Sequence, residues 1–77
     1  MIAELETVVL THDLPEYGLV AGDVGAVVHQ YADRNAYEVE FLTAAGKTVA
    51  LVTLKAPDIR LLREREIWHV RELAVAA

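Results

Sequence analysis

Alternation of apolar and polar side chains is strictest from Tyr37 to Leu42, where Tyr37, Val39 and Phe41 fall on one side and Glu38 and Glu40 on the other. A period of two predicts a strand buried on one face and wet on the other. Thr48 to Leu54, TVALVTL, is a continuous run of β-formers and reads as a strand crossing the middle of the sheet. Upstream, Glu6 to Thr11 has Thr7, Val8, Val9 and Leu10 in succession and predicts a first strand. Val24 to Tyr31, VGAVVHQY, predicts a second, with Val24, Ala26 and Val28 on one face and Val27, His29 and Tyr31 on the other. Ile59 to Leu62 adds a short fifth.

Between these runs the breakers are concentrated. His12 to Gly18 holds Asp13, Pro15 and Gly18, so a loop follows the first strand, with Leu14, Tyr17 and Leu19 apolar enough to pin it to a core. Gly22 and Gly25 bracket Asp23 and Val24 and read as a tight bend feeding the second strand. Ala32 to Ala36, with Asp33 and Asn35, and Thr43 to Lys47, centred on Gly46, are further turns. Strands spaced by turns at roughly ten-residue intervals predict a small closed or nearly closed antiparallel barrel, a form that leaves so apolar a sheet few exposed edges.

The final segment, REREIWHVRELAVAA, fits two states. As a helix it aligns Ile67, Val70, Leu73 or Ala74, and Ala77 in one stripe; as a strand, Ile67 to Leu73 offers Ile67, Trp68 and Val70 as β-formers. A strand following a turn at Arg63 to Arg65 is the expectation. In either state Trp68 needs a surface for its ring, on its own barrel or on a second subunit.

At 77 residues the chain is one domain, residues 1–77, with 63–77 as a C-terminal extension. An apolar fraction of 55% implies a dense core or a covering partner, a second copy included. The absence of cysteine excludes disulfide staples and thiolate metal sites. Glu4 and Glu6 stand where a signal peptide carries positive charge, and no apolar run reaches the length of a membrane span, so a cytoplasmic protein is expected. Charge is uneven: residues 1 to 54 hold two basic residues (Arg34, Lys47) against eight acidic, whereas residues 55 to 77 hold five against four. The acidic body disfavours phosphate backbones and favours a basic or neutral partner.

No reaction is written in the chain, and no enzyme activity or cofactor is expected. Serine and cysteine are both missing, and Thr11, His12 and Asp13 are neighbours that a strand would point to opposite faces. His12, His29 and His69 lack the short spacing of a preformed metal site. Glu38 and Glu40 share a face, which in a half-exposed strand is the wet one. GLVAGDVG lacks the Lys and Ser/Thr of a phosphate loop and sets Asp23 where the anion would lie. Arg60, Arg63, Arg65 and Arg71 are interleaved with Asp58, Glu64, Glu66 and Glu72, which predicts a salt-bridged surface or a protein interface.

The combination of LPEYGL, GDVGAVV and YEVEF, followed by GKT and a VTL strand, resembles a domain-of-unknown-function family of short uncharacterised bacterial proteins, over about residues 6 to 62. The resemblance implies an SH3-like β-barrel, structural roles for Pro15, Gly18, Gly22 and Gly25, and an antitoxin- or immunity-like role toward a toxin-like partner. GDVGAVV is also similar to the turn of KOW-type barrels associated with ribosomes and transcription, which contact RNA or protein through basic loops; here the matching loop is acidic, with Asp13, Glu16 and Asp23. The expected fold is therefore all-β, an SH3-like barrel of about five strands ending in a strand or short helix. Its expected function is that of a protein-binding module, with Asp13, Glu16, Tyr17, Tyr31 and Trp68 as the partner-binding residues.

Overall fold

The computed structural model of the protein describes residues 2–73, without the side chain of Arg34. Five strands, β1 (Thr7–Leu10), β2 (Val24–Tyr31), β3 (Ala36–Leu42), β4 (Thr48–Lys55) and β5 (Ile59–Leu61), form one antiparallel sheet in the order β4-β3-β2-β1-β5. Single 3₁₀ turns lie at Pro15–Tyr17, Ala32–Arg34 and Ala56–Asp58. The expected all-β fold of five antiparallel strands is present, with boundaries within a residue or two of those read from the sequence.

Val8, Leu10, Val27, Tyr37, Val39, Phe41, Val52, Leu54 and Ile59 all meet in one buried cluster. In a flat sheet the outer strands β4 and β5 would stand about 19 Å apart, four strand spacings. Their sharing one core shows that the sheet curls on itself, as in a barrel, although β4 and β5 are not hydrogen-bonded to each other. The loop after β1 folds onto this core: Leu19 is buried, Leu14 is half-buried, and the two exchange backbone hydrogen bonds of 2.9 and 3.2 Å. Tyr17 does not follow them inward and stays 44% exposed. Asn35 supplies a left-handed residue after the Ala32–Arg34 turn (φ 50°), a conformation its short polar side chain tolerates.

Four expectations are corrected. β4 is an edge strand, because its unbroken run of β-formers conceals an alternation in which only Val52 and Leu54 are buried and Leu51 and Thr53 face out. In β2, Val28 is a bulge: Val27 pairs with Val39, and His29 with Glu38. The extra residue inverts the alternation, so His29 and Tyr31 join the Glu38 face and leave that of Val27. Gly25, read both as one side of the bend and as part of the second strand, serves only the strand and lies within β2, opposite Val8 of β1. A Cβ there would sit 2.8 Å from Val39 Cγ1 and 3.0 Å from both the Glu40 carbonyl and Phe41 Cδ1, so glycine is required because β3 already fills that space. Gly22 alone (φ 95°) supplies the bend. Finally, the segment from Ile67 to Leu73 is neither strand nor helix. A turn does occur at Glu64 and Arg65, but the chain beyond it is held to the body of the domain through side chains. Ala74 and Ala77, the end of the proposed helical stripe, lie outside the described residues.

Candidate functional site: a clamped tail over a cleft

The glycine bend carries the one acidic side chain on which the tail closes. Asp23 is fixed from its own loop, its Oδ2 accepting the Val20 N–H at 2.9 Å. Arg71 then grips it as a fork: Nε donates to Oδ1 at 2.8 Å and one terminal nitrogen to Oδ2 at 2.6 Å, while the same nitrogen donates to the Gly18 carbonyl at 3.0 Å. That carbonyl is presented by a left-handed glycine (φ 70°) closing the Pro15–Tyr17 turn. Two parallel bonds to a planar carboxylate are the geometry for which guanidinium is suited and ammonium is not. The Asp23 side chain is only 16% exposed. Burial opposes its ionisation, but the bonds from Arg71 and Val20 outweigh that and hold its carboxyl below the usual value.

A second fork pins the base of the tail. Arg60 in β5 donates to both oxygens of Glu66 at 2.8 and 2.6 Å, and the Arg63 N–H adds a bond of 2.6 Å to Glu66 Oε1. Arg60 first, and the Arg63 amide with it, lower the Glu66 carboxyl to about 2. Between the two forks the chain displays Ile67, Trp68 and Val70 at 91%, 62% and 87% exposure. No backbone hydrogen bond ties 67–73 to the sheet among the described residues.

The tail crosses between two clefts. The larger, about 730 Å³, lies between Trp68–Leu73 and a wall that includes Val24, Gly25, Phe41, Leu42 and Val49. The smaller, about 400 Å³, is lined by Asp13, Pro15, Tyr17 and Gly18 on one side and Arg71 and Leu73 on the other. Of the five residues read as partner-binding, Trp68 thus lines the first cleft, and Asp13 and Tyr17 the second. Glu16 is exposed on the Pro15–Tyr17 turn and lines neither. Asp13 also has a structural task, its Oδ1 accepting the Ala21 N–H at 2.8 Å. Tyr31 lies elsewhere, edge-on to His29 with ring centroids 4.5 Å apart, where His29 Nδ1 is 3.3 Å from Glu4. The bulge at Val28 put it there.

The three histidines lie in three separate places. His12 Nε2 is 2.8 Å from Asp58 Oδ1, and that bond raises the imidazole's pKa; His29 sits with Glu4 and Tyr31, and His69 in the tail. Among the described residues no three His, Asp or Glu side chains converge as metal ligands. Glu38 and Glu40 accept hydroxyl bonds from Thr53 and Thr48 across the β3–β4 pairing. Among the described residues, no helix is long and apolar enough to cross a membrane. The clamp escaped sequence reasoning because Arg71 and Asp23 are 48 positions apart; the one visible sign was an acidic residue in a glycine bend where an anion site would need the reverse.

The clamp makes acid the natural probe of the tail. A carboxyl with a depressed pKa contributes stability that is complete above its unfolded value and is lost as pH falls through its folded value. For Glu66 that window runs from the ordinary 4.5 down to about 2, and Asp23 shifts in the same direction. In a His69→Gln background, which removes the neighbouring imidazole as a quencher, emission from Trp68, the single tryptophan, is expected to stay constant from neutral pH down to about 4.5 and to change only below it. A transition centred above 4.5 would show that the forks do not hold the tail in solution.

Comparison with known proteins adds one finding. No curated protein and no solved structure matches the chain. A family model matches residues 4–61, which span the sheet from just before β1 to the last residue of β5 and leave out the tail with both Glu66 and Arg71. With its five-stranded sheet matched from end to end, the chain belongs to the family described as Domain of unknown function (DUF4926).

Proposed function

We propose that the chain is a protein-binding module, not an enzyme, and that its partner docks on the clamped tail and the clefts beside it. The observation that carries this reading is the display of Ile67, Trp68 and Val70 by two arginine–carboxylate forks. An apolar segment left in water and yet held in place loses little conformational freedom on binding, which is how a recognition element gains affinity. Trp68 supplies a large amphipathic ring of the kind that dominates interfaces, with Tyr17, on the far side of the clamp, as a second anchor. Asp13 and Glu16 provide a polar, acidic rim beside Tyr17.

Nucleic acid is the weaker alternative, because Arg60 and Arg71 are both engaged by carboxylates and the remaining body is acidic. An antitoxin- or immunity-like role is this same function with a toxin-like partner, and co-expression that fails to restore growth of cells making that partner discards it. For the captured partner, Trp68→Ala is expected to weaken binding about thirtyfold, the effect of losing a central aromatic anchor, with the sheet unchanged by far-UV circular dichroism. Equal affinities of wild type and Trp68→Ala would sink this reading.

A further inference from the structure

Resting on that protein-binding reading, we infer that Asp23 and the Gly18 carbonyl form an arginine-recognition subsite. In the isolated chain Arg71 fills it from within, and an arginine on an extended segment of the partner takes it over, lifting the distal tail.

The subsite is built independently of its occupant. Asp23 is oriented by the Val20 N–H and Gly18 by its own left-handed turn, both on the loop between β1 and β2. The occupant, by contrast, arrives on a segment that makes no backbone hydrogen bond to the sheet among the described residues. Its departure therefore breaks side-chain contacts only, and opens the neighbouring walls of both clefts, since Arg71 and Leu73 line each of them. Glu66 would remain on Arg60, so Ile67 and Trp68, one and two residues further on, stay displayed to the partner, while the chain from His69 onward moves and Val70 meets the partner only after the tail is lifted.

The resident tail also states what fits. Arg71 forks onto the carboxylate and Leu73, two residues on, lines both clefts, which favours an arginine followed after one residue by an apolar side chain. A body with eight acidic and two basic residues over positions 1 to 54 favours such a segment at longer range. Lysine in place of arginine would meet Asp23 as a point charge and forfeit the second bond of the fork.

The probe is a fluorescein-labelled hexapeptide with the sequence of residues 68–73, WHVREL, titrated into the full-length chain. Arg71→Ala, which empties the subsite without touching the core, is expected to bind it about tenfold more tightly than wild type does. The lysine peptide WHVKEL should bind that variant about tenfold more weakly than WHVREL. Adding Asp23→Asn to Arg71→Ala should abolish the difference between the two peptides. In the amide spectrum of Arg71→Ala, the Val20 resonance should shift on titration while core amides of β3 stay in place, which also verifies that the variant is folded. Arg71→Lys, which weakens the internal occupant without removing its charge, should give an intermediate affinity.

Binding equal for wild type and Arg71→Ala, or equal for the arginine and lysine peptides, overturns the subsite. Because the peptide assay needs no partner, the two readings fail separately. Trp68-dependent partner capture without peptide binding removes the arginine subsite alone. Arginine-selective peptide binding with Trp68-independent capture supports the subsite and removes the tail-anchored interface.

Discussion

Phe41→Ala is expected to cost about 3–4 kcal/mol of folding stability, the largest single loss in the molecule. The ring is 2% exposed and belongs to the common core, and it also covers the backbone of β2 at Gly25, where no side chain exists to fill the space. Removing it opens a cavity over a glycine, which the neighbouring chain cannot close by rotating a side chain. A domain of this size has a total stability of about 4–11 kcal/mol, so the variant would stand close to unfolding. Urea denaturation measures the change, and Phe41→Leu, expected to lose about 1–2 kcal/mol, provides a folded comparison if the alanine variant does not accumulate. Losses below about 1 kcal/mol for the alanine variant would mean that the ring does not seal the sheet.

Gly25→Ala approaches the same contact from the other strand and is expected to cost about 2–3 kcal/mol. Alanine is ordinarily favoured over glycine in a strand by about 0.5–1 kcal/mol, so the sign of the effect separates the two roles this glycine could play. A bend-forming glycine with open space around it would not destabilise by collision; here the added methyl meets Val39 Cγ1 at 2.8 Å and the Glu40 carbonyl at 3.0 Å. The two substitutions should be coupled. In the Phe41→Ala background the ring at 3.0 Å is gone, and the added cost of Gly25→Ala should fall by about 1 kcal/mol. Strict additivity in urea denaturation would show that the ring and the glycine are independent.

Local patterns in the chain carried most of the fold. The Tyr37–Leu42 alternation, the VGAVVHQY run and the breakers between them are short-range signals, and the strands formed where those signals lay. What escaped was set by partners distant in sequence. The place of β4 at the edge depends on which strands flank it, not on its own composition. The bulge at Val28 is a matter of registry with β3, and no residue in GAVVHQ announces it. Gly25 looks in sequence like its neighbour Gly22, and only the contacts from β3 distinguish a glycine needed for space from one needed for its φ angle. The candidate site divided the same way. Trp68 and Tyr17 were visible as large side chains, one in the C-terminal segment and one in a breaker-rich loop, whereas Tyr31 was carried away by the bulge and the Arg71–Asp23 fork joined positions with no local relation.

The pairing of β1 with β5 has a further consequence. Because these strands run antiparallel side by side, the chain enters the sheet at Thr7 and leaves it beside the same residue, where the Leu62 N–H meets the Thr7 carbonyl at 3.4 Å. Both ends of the matched domain therefore emerge at one corner. Such a unit can be spliced into a surface loop of another protein, or have its ends joined and a new break made at the exposed Ala44–Gly46 turn, without redirecting any strand. It also responds to tension in one particular way: a pull on the two ends would open the β1–β5 ladder from that corner one bond at a time, like a zip, instead of loading all its bonds together.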